Sequence, residues 1–195
     1  MILTEKNINE RIIEKEIGKP TIINWKKPKA IGSSSFYLQT FKNKTDSTDL
    51  IKEGSKCSFE KYSNGILLRS NLSNKLTALA IQKTEIVSIK MVRGKESVKP
   101  FILSPMWILL KLGVSILTAR YFKTFLGEYS IEEMELKIET KKQIMVFTQN
   151  GYIFERQLDF FESLNYGNKL IIEWNGLSRN QKNGNRMEKP VANKT

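Results

Sequence analysis

The chain has 195 residues, 40% of them hydrophobic and 27% charged, which suits one globular domain with tails rather than two domains or a disordered polymer. A formal net charge of +12 favours polyanionic partners such as nucleic acid, anionic lipid or acidic protein. The absence of histidine and the single cysteine, Cys57, exclude Ser-His and Cys-His nucleophile systems, His-containing zinc sites and any intrachain disulfide.

Residues 5–17 space Ile8, Ile12, Ile13 and Ile17 as a short charged helix, ended by Gly18-Lys19-Pro20. Glu5, Glu10, Glu14 and Glu16 make this stretch too acidic for a leader and point to the cytoplasm. Residues 21–50 read as irregular, so 1–52 is taken as an N-terminal arm. Within it, Lys26 and Lys27 beside Trp25 are candidate anion contacts.

A domain spanning 53–175 follows. Strands are predicted over 56–62 and 66–71, joined by Ser63-Asn64-Gly65, where Asn-Gly tolerates positive φ. After a polar turn at Asn71–Asn74, further strands are predicted over 75–82 and 85–93 in meander order. In the latter, Ile86, Ser88, Lys90 and Val92 fall on one side, and Val87, Ile89 and Met91 on the other. Arg93 and Lys95, flanking Gly94, form a second candidate anion contact. Cys57 sits in a strand pattern and reads as a small core residue.

Ser104 and Pro105 then signal a helix start. The run that follows is densely apolar, and one long helix over 105–126 is predicted, with Gly127 as its cap. As a membrane span it is poor. Lys111 costs about 2.5–3.5 kcal/mol at a bilayer centre, and seven aliphatic residues between Ile108 and Leu117 return about 0.3–0.6 kcal/mol each. Its apolar surface needs another cover, and three are open: the domain's own sheet, a second subunit in a homodimer, or a membrane surface. Trp107, Leu110, Val114, Leu117, Arg120 and Lys123 are the candidate membrane or partner contacts.

Ser130-Ile131-Glu132-Glu133 matches a capping box, predicting a short helical turn. Strands are predicted over 134–140 and 143–148, an Asn150-Gly151 hairpin after them, a helix over 157–165 and a last strand over 169–174. Residues 176–195, with five Lys/Arg against one Asp/Glu, read as a disordered basic tail.

No catalytic constellation emerges. Ser58-Phe59-Glu60-Lys61 fits S-x-x-K but lies in a strand pattern, where Ser and Lys face apart. Glu128, Glu132, Glu133 and Glu135 read as solvated or capping carboxylates rather than cation ligands. No phosphate-cradling glycine loop is present. The chain therefore reads as a non-enzyme without cofactor or metal.

The run Lys83-Thr84-Glu85-Ile86-Val87-Ser88-Ile89-Lys90-Met91-Val92-Arg93-Gly94-Lys95, the hairpin strands after it and the late helix containing Phe160-Phe161-Glu162-Ser163-Leu164 resemble bacterial pleckstrin-homology-like and GRAM-like domains over residues 54–165. The resemblance implies seven strands, a closing helix and a binding module for lipid headgroups or proteins. The segment 105–126 and the strand after the late helix depart from that pattern. The sequence-based expectation is thus an α+β domain: a mostly antiparallel bent sheet or partial barrel with one long apolar helix and a shorter C-terminal one. The expected function is a binding module, peripheral to the inner membrane surface or held by a protein partner. A nucleic-acid-associated protein and a histidine-independent enzyme are the alternatives.

Overall fold

The computed structural model describes residues 2–4, 8–22, 30–44, 51–72 and 75–175. Strands and helices occur in the order β1 (Ile2–Thr4), α1 (Glu10–Ile17), β2 (Phe36–Asn43), β3 (Lys56–Tyr62), β4 (Gly65–Leu72), β5 (Lys75–Gln82), β6 (Ile86–Arg93), β7 (Glu96–Val98), α2 (Pro105–Lys111), α3 (Ile116–Ala119), β8 (Tyr129–Ile131), β9 (Met134–Thr140), β10 (Gln143–Gln149), α4 (Phe154–Ser163) and β11 (Leu170–Trp174). The class is α+β, with a large, mostly antiparallel sheet and four α-helices among the described residues.

Nine strands make one sheet in the order β1-β5-β4-β3-β2-β10-β9-β6-β11, and β7 and β8 form a separate ribbon. Among the described residues, only β11 runs parallel to its neighbour, β6. The connection from β5 to β6 sets the curvature. These strands lie six steps apart in the order, which in a flat sheet would separate them by about 29 Å. Yet only Lys83, Thr84 and Glu85 join them, a reach of at most about 15 Å. The sheet must therefore curl until the end of β5 meets the start of β6. It does not close into a barrel, because no ladder joins those two strands.

The inside of the curl is the main core, to which β2–β6, β9, β10 and α4 all contribute. Phe59 on β3 is central to it. Its ring meets Phe36 of β2 at 5.8 Å, Phe147 of β10 at 5.2 Å and Phe161 of α4 at 5.6 Å, all edge-on. A second, smaller core lies on the outer face of β4 and β5. There Ile13 and Ile17 of α1 cover Leu67, Ala78 and Ala80, and the two alanines leave room for the helix.

Several sequence expectations are corrected. Residues 36–43 are not irregular: β2 sits mid-sheet between β3 and β10, so no boundary near residue 53 separates it from the sheet. The two-residue turn between β3 and β4 is Ser63-Asn64, neither of which has positive φ. Gly65 is needed instead for close approach, since a Cβ there would overlap the Ile81 carbonyl oxygen. A bulge between Ile86 and Ser88 turns Ile86 onto the buried face with Ile89 and Met91. Asn150-Gly151 makes no hairpin. The Asn150 side chain accepts from the Tyr152 amide at 2.9 Å and starts the turn leading into α4. Ser130–Glu133 makes no helical turn either, because Tyr129–Ile131 is a strand. Lys26, Lys27 and residues 176–195 lie outside the described residues.

Phe59→Ala removes the ring that joins three strands to α4. It is expected to cost about 3–5 kcal/mol, measured as a lowered midpoint in urea unfolding with an unchanged slope.

Candidate functional site

The long apolar helix does not exist. Leu112 ends α2, and Gly113 follows at φ 83°. The Gly113 amide donates to the Leu110 carbonyl at 3.1 Å and the Val114 amide to the Leu109 carbonyl at 2.9 Å, the paired bonds of a Schellman stop. α3 then starts afresh after Ser115 and lasts four residues. Among the described residues, no helix is long and apolar enough to cross a membrane. A glycine inside an apolar run was the available signal, and Gly127, taken as the cap, lies instead in a short 3-10 turn.

The segment 99–128 is instead an excursion carried on the β7–β8 ribbon, with its own small core. Met106, Ala119, Tyr129 and Ile131 are buried there, and Leu109, Leu110, Val114 and Ile116 pack against them. Tyr129 is the fastening. Its hydroxyl donates to Glu96 of β7 and accepts from Arg120 at 3.2 Å, while its carbonyl accepts from the Tyr152 hydroxyl at 3.0 Å. Burial, then the Glu96 hydrogen bond, raises the Tyr129 phenol above its ordinary pKa.

Glu128 organises the far end. Its carboxylate is only 2% exposed yet has no cationic partner within ion-pair distance among the described residues. One oxygen accepts from the Phe101 amide at 2.9 Å; the other accepts from the amides of Thr124 and Phe125. The Ser104 hydroxyl donates to it as well, while accepting from the Trp107 amide at the start of α2. These donors outweigh burial, the Ser104 bond most, and lower its pKa from 4.5 to about 2. One carboxylate thus ties together the loop 101–104, the loop 124–126 and the N-terminus of α2.

The two tied loops present a continuous apolar tip. Phe101 and Phe125 meet edge-on at 5.8 Å. Beside them Ile102, Leu103 and Leu126 are exposed, Leu103 by 73% and Leu126 by 84%. Leu103 has φ 67°, at the third position of a turn closed by the Ser104 amide on the Phe101 carbonyl at 3.0 Å. Turns of this shape ordinarily use glycine there, and a leucine in left-handed backbone costs about 1–2 kcal/mol. The fold therefore holds a strained backbone at a leucine that faces water.

The structure scatters the residues singled out from sequence. Leu110 and Val114 are half-buried in the excursion's own core, and Leu117 is exposed. Lys111 lies over the Trp107 ring at 5.6 Å, Arg120 over Tyr121 at 5.1 Å, and Lys123 over Tyr152 at 5.4 Å. Arg93 is no surface anion contact: it is buried, with Trp174 stacked at 5.0 Å and Glu96 at 3.8 Å. Lys95 is exposed. The reading of Glu128 as a capping carboxylate holds, since it caps the Thr124 and Phe125 amides; sequence reasoning missed its reach to Phe101 and missed Phe101, Leu103, Phe125 and Leu126.

A polar depression lies elsewhere, lined in part by Lys61 and Lys83. Its lysines already serve the C-terminal end of α4, donating to the carbonyls of Ser163 and Asn165, where a helix favours cations. No protein-family model, curated protein or solved structure matches the chain.

Because the folded pKa of Glu128 lies below its ordinary value, the group stabilises the tip above pH 4.5, and that contribution fades as pH falls towards 2. Hydrogen exchange should show the Phe101, Thr124 and Phe125 amides protected at neutral pH and opening across that window. Glu128→Ala should expose the same amides at pH 7 while leaving those of β9 and β10 protected. Equal protection of the tip amides in that variant would remove Glu128 from its organising role.

Proposed function

We propose that this chain is a non-catalytic docking module that rests on a membrane surface through the tip formed by Phe101, Ile102, Leu103, Phe125 and Leu126. The observation that carries the reading is the pinned exposure of that tip. Contiguous apolar groups left in water mark interaction surfaces when something holds them there. Here a buried carboxylate holds both loops, and a strained leucine points outward rather than folding in. Strain of this kind persists where the surrounding structure over-determines it, and it clusters at functional positions.

The tip is formed by two short loops in the excursion that joins the two strands of the β7–β8 ribbon, and its side chains are exposed. That form suits shallow burial in the interfacial layer of a bilayer, with aromatic groups and lysine stems at headgroup depth. Trp107, Tyr121 and Phe122 lie on the same excursion and are half-buried or exposed. The seven strands β2–β6, β9 and β10, followed by α4, support a pleckstrin-homology-like reading of the scaffold, which then serves to hold the excursion out.

The perturbed groups support a role without catalysis. The Glu128 carboxylate is saturated by structural donors. Burial pushes the Cys57 thiol up to about 11 and the Tyr166 phenol higher still, which suits inert core groups.

The test is sedimentation with phospholipid vesicles. The double variant Leu103→Gly with Leu126→Ser removes two exposed side chains, so its thermal midpoint should match or slightly exceed that of the parent, since glycine relieves the turn. Its vesicle affinity should fall at least about tenfold, the worth of a partly buried leucine. A variant that binds vesicles as the parent does would contradict the reading.

A further inference from the structure

We infer that the docking surface selects anionic phospholipid, and that Lys99 and Lys123 are its headgroup contacts; this rests on the membrane reading above. From Lys99 to Gly127 the sequence contains no Asp or Glu, while Lys99, Lys111, Arg120 and Lys123 supply four cations. On the scaffold acids are interspersed with the cations, and some of them pair. There Lys44 pairs with Glu139 at 2.9 Å, Arg69 with Glu60 at 2.6 Å, Lys90 with Glu173 at 2.8 Å and Lys142 with Glu85 at 2.7 Å. None of the four excursion cations has a carboxylate within ion-pair distance among the described residues. The one carboxylate that ends the segment, Glu128, is turned inward and spent on amides.

The position of two of these cations is specific. Lys99 precedes Phe101 by two residues, and Lys123 precedes Phe125 by two. Each apolar loop therefore has a lysine at its base. The bases are tied to one turn: the Lys99 amide donates to the Glu128 carbonyl at 2.9 Å, and the amides after Lys123 donate to the Glu128 carboxylate. An apolar tip with a cation two residues before each loop, Lys99 exposed and Lys123 half-buried with its ammonium donating to the Tyr129 carbonyl at 3.4 Å, matches a bilayer surface, in which acyl chains lie beneath a layer of phosphates.

The same arrangement disfavours a second copy of this chain. A two-fold contact through the tip would set Lys99 and Lys123 of one copy against those of the other, with no Asp or Glu from Lys99 to Gly127 to lie between them. Phosphate is the complementary chemistry. Near an anionic surface each such cation strengthens binding about fivefold.

The experiment is vesicle sedimentation of the full chain, with phosphatidylcholine alone and with an equimolar mixture of phosphatidylcholine and phosphatidylglycerol. The parent should bind the mixed vesicles more tightly and lose that preference as salt rises. The K99Q/K123Q variant should bind mixed vesicles about 25-fold more weakly, with binding to phosphatidylcholine unchanged. K99R/K123R should bind as the parent does, which separates lost charge from lost fold. Equal binding of the parent to both vesicle types, or undiminished binding by K99Q/K123Q, overturns the inference and leaves the tip as a docking surface. No binding of the parent to either vesicle overturns both, and retention by an acidic protein instead would identify the wrong class of partner.

Discussion

A buried carboxylate without an ionic partner decides the shape of the excursion. Glu128 could have been an exposed acid in a polar loop. Instead it is enclosed by amide donors from two loops and by the Ser104 hydroxyl. An uncompensated buried charge is costly, so the arrangement persists only while every donor stays in place. That requirement brings Phe101 and Phe125 together, starts α2 where it starts, and leaves the residues between with nowhere to turn but outward. The apolar tip is thus a consequence of polar bonding beneath it.

The scaffold and the excursion solve different problems. The scaffold curls around Phe59 and its neighbours because three residues must carry the chain from one end of the strand order nearly to the other. Its ends stay open at β1 and β11. The excursion has only a small core of its own and is held by Tyr129 and by tight glycine contacts at its root. A Cβ on Gly94 or Gly151 would overlap the Glu132 carbonyl oxygen, so the ribbon is seated closely against the sheet. A rigid root beneath an exposed tip is what a docking element needs, because no ordering cost is then left to the moment of contact.

Much of the scaffold is legible in the sequence. Met134, Leu136 and Ile138 alternate and are buried, and the turn between β3 and β4 falls where polar residues mark it; Ser73 and Asn74 of the next expected turn lie outside the described residues. The miss at β2 has a physical cause. Phe36, Leu38 and Phe41 are buried, but a shift in register against β10 breaks the strict alternation, and the preceding Gly-Ser stretch suggests a loop. The apolar run misleads in another way. Hydrophobicity tells that residues 106–122 want cover but not how they are cut, and Gly113 does the cutting. Glu128 is legible only in part: the capping reading holds for its bonds to the nearby Thr124 and Phe125 amides, but its burial and long reach do not show. Its bond to Phe101 spans twenty-seven positions, and nothing local distinguishes it from Glu132, Glu133 or Glu135, which remain exposed.

Site-directed nitroxide labelling at the tip tests the central claim most directly. Cys57 is buried with its thiol raised to about 11, so a cysteine introduced at Leu126 becomes the reactive site, and one at exposed Val87 on β6 serves as the reference. With vesicles containing phosphatidylglycerol, the label at 126 should become accessible to oxygen and shielded from a water-soluble relaxant, while the label at 87 stays aqueous. A label at 126 that remains as aqueous as the one at 87 would contradict membrane docking through this tip.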